Sequence, residues 1–144
     1  MQKMPSQFPE IATRDKKVSM EILEYIILND YDILFLVRVT RANEDVSKYL
    51  PLIEKHPSTK FFQILEKTPT NLEFLVVVED VTGIKAFEES FCFIKPPILV
   101  ENGCRMYKLV VPSISCLSQA YLKVENVGKW KLVEIKKELN KNRC

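Results

Sequence analysis

Short apolar runs of two different periods divide this chain. Residues 18–23 set Val18, Met20 and Ile22 against Ser19, Glu21 and Leu23, the period of a half-buried strand. Val18, Ile22, Tyr25, Ile26 and Asn29 also share a helix face, and of the two readings the strand is preferred. Asn29 and Asp30 predict a turn. Residues 33–40 then predict a strand rich in β-branched side chains and apolar on both faces at its start. Residues 59–66 and 71–79 predict two more strands, joined by Lys67, Thr68, Pro69 and Thr70, with Phe74, Val76 and Val78 on one face.

Three segments follow the helical period. The first has Asn43 as cap, Glu44 and Asp45 at the positive end of the dipole, and Val46, Tyr49, Leu50 and Ile53 at i, i+3, i+4 and i+7. Lys55 and His56 fall in its last turn and Pro57 stops it, while Pro51 is expected to bend or divide it. Asp80 is the expected cap of a second helix with Ile84, Phe87 and Phe91 as its apolar stripe, weakened by Gly83. Ser113 is the expected cap of a third, with Ile114, Leu117, Ala120, Tyr121 and Val124 inward and an end at residues 126–128. Residues 130–135 predict a last strand.

The most legible element is a hairpin. Residues 98–101 and 104–111 flank Asn102 and Gly103, the pair that best tolerates the two positive φ angles of a type I′ turn. Glu101 then faces Cys104, Val100 faces Arg105, Leu99 faces Met106 and Ile98 faces Tyr107. Tyr107, Leu109 and Val111 share a face. Pro96 and Pro97 have no N–H to give a ladder, so the first strand should begin after them or lie at a sheet edge.

Strand, strand, helix, strand, strand, helix, strand, strand, helix, strand is the order of an α+β domain. Short connections favour a mainly antiparallel sheet with helices on one face, the split-βαβ, ferredoxin-like (ACT-like) arrangement. Residues 1–16 follow neither period and predict a flexible N-terminal arm, residues 17–137 a single domain and residues 138–144 a polar tail.

Composition narrows the function classes. A chain of 144 residues, 47% hydrophobic, can bury a core without metal or disulfide staples. Its 21 Lys and Arg against 19 Asp and Glu give a net charge of +2 with the signs interspersed, which offers no electrostatic case for nucleic acid or an anionic membrane. No run of about eighteen apolar residues and no signal-peptide core is present, so a cytoplasmic protein without membrane contact is expected. Cys92, Cys104, Cys116 and Cys144 lie twelve, twelve and twenty-eight residues apart, without a CxxC pair or zinc-ligand spacing. They are expected to be reduced and mostly buried, with Cys144 exposed; no metal and no cofactor is expected.

Candidate catalytic groups have simpler explanations. His56, the only histidine, suits a helix C-terminus. The pairs Glu44, Asp45 and Glu79, Asp80 suit helix starts. Phe61 and Phe62 could stack on RNA bases, but the basic signature of such sheets is missing and one of the two should be core. Gly83, Gly103 and Gly128 are too scattered for a phosphate loop. No catalytic residue is assigned, and the chain is read as not an enzyme.

Residues 47–68, SKYLPLIEKHPSTKFFQILEKT, and residues 89–113, ESFCFIKPPILVENGCRMYKLVVPS, carry a family likeness. The first resembles a segment of archaeal bacterio-opsin-activator-like regulators in which a helix stops at His-Pro and leads into a strand. The second resembles their block of proline-containing strand, ENG turn, strand and Pro-Ser helix start. The likeness covers most of residues 17–137. It implies an N-terminal regulatory domain of a transcription regulator, dimeric and open to a small-molecule effector. Pro96, Asn102, Gly103, Pro112 and Ser113 match turn and cap positions, and none is a known ligand contact. The helix-turn-helix that follows in that family has no counterpart after Glu134, where ten residues remain. DNA would then be reached only through an attached or partner helix-turn-helix. The alternatives are a protein-docking or dimerisation module, and an acylphosphatase-type enzyme, which would need one of Arg38, Arg41 or Arg105 in an anion-binding loop.

Overall fold

A computed structural model describes residues 18–41, 50–79, 84–101 and 104–125. Six strands form one antiparallel sheet: β1 (Val18–Ile27), β2 (Asp32–Arg41), β3 (Thr59–Lys67), β4 (Asn71–Glu79), β5 (Phe93–Glu101) and β6 (Cys104–Val110). Their order across the sheet is β3-β4-β2-β1-β5-β6. Among the described residues three helices accompany them: α1 (Leu50–Glu54), α2 (Ile84–Glu89) and α3 (Ile114–Val124). The class is α+β.

β2 and β3 both run antiparallel to β4, so they are parallel to each other with β4 between them, and α1 lies on the connection. The return from β4 through α2 crosses both β2 and β1 before pairing as β5, because the first hairpin places β1 between β2 and β5.

The preferred strand reading of the first segment holds, and its ambiguity has a physical source. A bulge between Ile22 and Glu24 breaks the β1 register, so Met20 and Ile22 face the core before it and Tyr25 and Ile27 after it. One extra residue turns i, i+2 spacing into i, i+3, which imitates a helix face. Asn29 makes the turn: its side-chain oxygen accepts the N–H of Tyr31 at 2.8 Å and of Asp32 at 2.9 Å.

One face of the sheet holds the core. Met20, Ile22, Ile33, Phe35, Val37, Val39, Leu72, Phe74, Val76, Val78, Ile98 and Val100 are buried together with Ile53 of α1, Ile84 and Phe87 of α2, and Ala120 and Val124 of α3. Every helix described therefore lies on that face. α2 lies across β5: Phe87 packs on Tyr107 of β6 at 5.4 Å between ring centres, and Glu88 accepts the hydroxyl of Tyr25 of β1 at 2.6 Å.

The hairpin has the expected register at Glu101 with Cys104, Val100 with Arg105 and Leu99 with Met106, but the expected pairing of Ile98 with Tyr107 is lost because the register shifts between Lys95 and Leu99. Its first strand departs from expectation. β5 begins at Phe93, ahead of the prolines, and Pro96 and Pro97, joined by a cis peptide bond, form a two-residue bulge between Lys95 and Leu99. Pairing with β1 is confined to residues 98–101, so neither proline has a ladder partner to satisfy on that side.

Two apolar stripes also need correction. Phe91 does not continue the α2 stripe; it lies past the helix end, 69% exposed, at φ 62°. Cys92 N–H donates to the Phe87 carbonyl at 2.9 Å and Phe91 N–H to that of Glu88 at 3.0 Å, which is the Schellman pattern with phenylalanine where glycine usually stands. On α3, Ile114 and Tyr121 are exposed instead of inward. Ala120 and Val124 are its buried residues, with Cys116 part-buried against the core, because α3 touches it on a narrow stripe. The expected start of the first helix at residues 43–49, the Asp80 cap, the 102–103 turn, the strand at 130–135, the N-terminal arm and the tail lie outside the described residues.

Candidate functional site

The residues singled out by sequence do not converge. Pro96 is in the β5 bulge, while Pro112 and Ser113 follow β6 at the end away from Cys104. Ser113 occupies the N-cap position with extended backbone, φ −155° and ψ 161°, but its side chain makes no capping bond. Its hydroxyl instead meets Ser115 Oγ at 2.9 Å and donates to Cys116 Sγ at 3.4 Å.

His56 lies just past α1. Its Nδ1 accepts the Ser58 N–H at 3.2 Å and meets Ser58 Oγ at 2.8 Å, so the ring shapes the turn into β3. Arg38 reaches Glu73 at 3.6 Å and Arg105 donates to the Tyr107 hydroxyl at 3.4 Å. Both arginines stand on strands. Of the two phenylalanines, Phe62 packs on Phe74 of the core at 5.1 Å and Phe61 points the other way, 48% exposed.

Ion pairs tie the β1–β2 turn to its neighbours. Lys60 meets Asp32 at 2.5 Å and Lys85 meets Asp30 at 2.7 Å. The Lys60 hydrogen bond, helped by Asn29, holds the Asp32 carboxyl below the ordinary carboxylate range, and the Lys85 bond does the same for Asp30. Asp30 is exposed and its pair adds little to stability, whereas the Asp32 side chain is only 17% exposed, so its pair with Lys60 is the better shielded of the two; both orient the turn. Tyr25 is different. Burial first, then the Glu88 carboxylate that accepts its hydrogen bond, push the phenol well above the usual tyrosine range.

What the fold assembles, and the residue-by-residue reading missed, is the face of the sheet turned away from the helices. Strand pairing lays its side chains in rows. Phe61, Val77, Leu34 and Ile26 form one; Gln63, Leu75, Leu36 and Glu24 the next; Glu66, Glu73, Arg38, Glu21, Leu99 and Met106 the third. The first two rows carry six apolar side chains in eight positions. Among the described residues no helix covers them: Ile26 is 59% exposed, and Leu34, Leu36, Leu75 and Val77 are half-buried. The third row is acidic, with Glu66 beside Glu73 and only Arg38 to offset them. Three buried polar side-chain atoms lack a hydrogen-bond partner among the described residues, and two of them, Arg38 Nε and Asn71 Oδ1, belong to this face. A signal for it existed: residues 33–37 and 74–78 are apolar without interruption, as in strands covered on both sides.

No three His, Cys, Asp or Glu side chains among the described residues are placed to hold a metal ion, and no described helix is long and apolar enough to cross a membrane. No family model, curated protein or solved structure matches this chain.

Proposed function

We propose that this chain is a regulatory domain that works by association, two copies packing the uncovered faces of their sheets, and that it breaks no bonds of its own. One observation carries the reading: the described helices gather on a single face, and among the described residues two adjacent apolar rows, 61-77-34-26 and 63-75-36-24, are left on the other.

A second copy is the partner that this surface fits. A two-fold axis lying along the rows sets each row of one copy on the neighbouring row of the other, so Val77 meets Leu75 and Leu34 meets Leu36. The same operation sends the two acidic rows to opposite ends, where like charges do not meet. Four strands at about 4.8 Å and two rows at about 6.7 Å span roughly 19 by 13 Å. That is small for a permanent interface, so the dimer should be reversible.

On this reading the ferredoxin-like, ACT-like kinship belongs to β2 through β5, with β1 wedged between the strands that would otherwise pair. The kinship with the regulatory half of archaeal bacterio-opsin-activator-like proteins rests on the helix-stop, hairpin and helix-start motifs of residues 47–68 and 89–113. DNA is reached through an attached or partner helix-turn-helix in a cytoplasmic setting, and an effector would act by shifting the association.

Sedimentation equilibrium of the protein and of Leu75→Glu tests this. The wild type should approach dimer as concentration rises, and the variant should stay monomeric with its thermal unfolding retained. A wild type that is monomeric throughout, or a folded Leu75→Glu variant that dimerises equally well, would contradict it.

A further inference from the structure

We infer that Cys92 and Cys116 form an oxidisable dithiol that peroxide converts to a disulfide, joining the turn after α2 to the first turn of α3. Cys92 Sγ lies 3.7 Å from the backbone carbonyl oxygen of Cys116, and both are free thiols. The two are twenty-four residues apart in sequence, so this juxtaposition comes from packing: α2 ends where β5 begins, and α3 starts beside that point.

The thiols are unlike in a way that sets the order of events. Cys92 is 1% exposed, its S–H shared between the carbonyls of Ser90 and Cys116, both at 3.7 Å. Burial, with a smaller effect of Cys116, pushes its pKa up, so it is kept as a thiol. Cys116 is half-buried in the first turn of an eleven-residue helix, and Ser113 Oγ donates to its sulfur at 3.4 Å. It is the more exposed of the two sulfurs. Cys116 is therefore the group that meets oxidant.

Its thiolate attacks hydrogen peroxide, taking one oxygen to become the sulfenic acid and releasing hydroxide. The Cys92 sulfur then attacks the Cys116 sulfur; the S–O bond breaks, the S–S bond forms, and the Cys92 proton leaves with the hydroxyl as water. The two thiols lose two electrons and peroxide gains them. In a reducing compartment such a bond is transient and is reopened by a thiol reductant.

The test uses the full chain carrying Cys104→Ser and Cys144→Ser, treated with hydrogen peroxide and digested without reduction. The expected result is a peptide pair joined through Cys92 and Cys116, two hydrogens lighter than the sum of its parts and separated again by dithiothreitol. Adding Cys92→Ser should leave Cys116 as a sulfenic acid captured by dimedone. Adding Cys116→Ser should abolish both products. Oxidation of Cys116 without a bond to Cys92, or no reaction at either thiol while the protein is folded, would overturn the inference.

Discussion

Phe91 holds a conformation that its side chain opposes. At φ 62° the Cβ crowds the backbone, a cost of about 1–2 kcal/mol that glycine would not bear. Because the ring is mostly exposed, little burial offsets it. Phe91→Gly is expected to raise the thermal midpoint by about 3 °C, read by circular dichroism; a fall would mean the ring is held by packing. Tyr25 gives a pH prediction. Its proton is held more tightly folded than unfolded, so its stabilisation is complete below the ordinary tyrosine pKa and is lost as pH rises above it toward the folded value. Stability should decline in strong alkali, and one of the five tyrosines should ionise late in a spectrophotometric titration. Tyr25→Phe removes the late step and costs about 1 kcal/mol at neutral pH through the bond to Glu88. If all tyrosines ionise together, the Tyr25–Glu88 contact does not persist in solution. Neither feature was legible in sequence, since Phe91 reads as one more stripe residue and the Tyr25–Glu88 contact spans sixty-three positions.

At the scale of elements, strands were easier to read than the faces they present. β4 was legible to the residue, because Leu72, Phe74, Val76 and Val78 alternate without a bulge. β1 and β3 were blurred by bulges, one at Leu23 in β1 and two in β3, each changing the phase of the pattern. Helix stripes were over-read: the period of α3 admits Ile114 and Tyr121, but a helix resting on a sheet buries only the residues that point down. Neighbouring positions in β4 test the facing. Phe74→Ala should cost about 3–5 kcal/mol in denaturant unfolding, whereas Leu75→Ala on the uncovered face should cost less than about 1.5 kcal/mol in the monomer. Equal costs would mean that both faces are core.

At the scale of the molecule, three hairpins build the sheet, and the order β3-β4-β2-β1-β5-β6 follows from how they dock. Local pattern supplied the β5–β6 hairpin through its turn residues, and the other two through turns after Ile27 and Lys67. It could not supply the pairing of β1 with β5, which depends on contacts distant in sequence, nor the rows that this pairing completes. The candidate surface therefore became visible only once strands were laid side by side. Its role as a self-association face is the central claim, and the most direct test is a dilution series of amide NMR spectra. The account predicts that shifts at residues 24–26, 34–36, 61–63 and 75–77 move together with concentration while those of α2 and α3 stay fixed. Shifts that move on the helices instead, or that do not move at all, would contradict it.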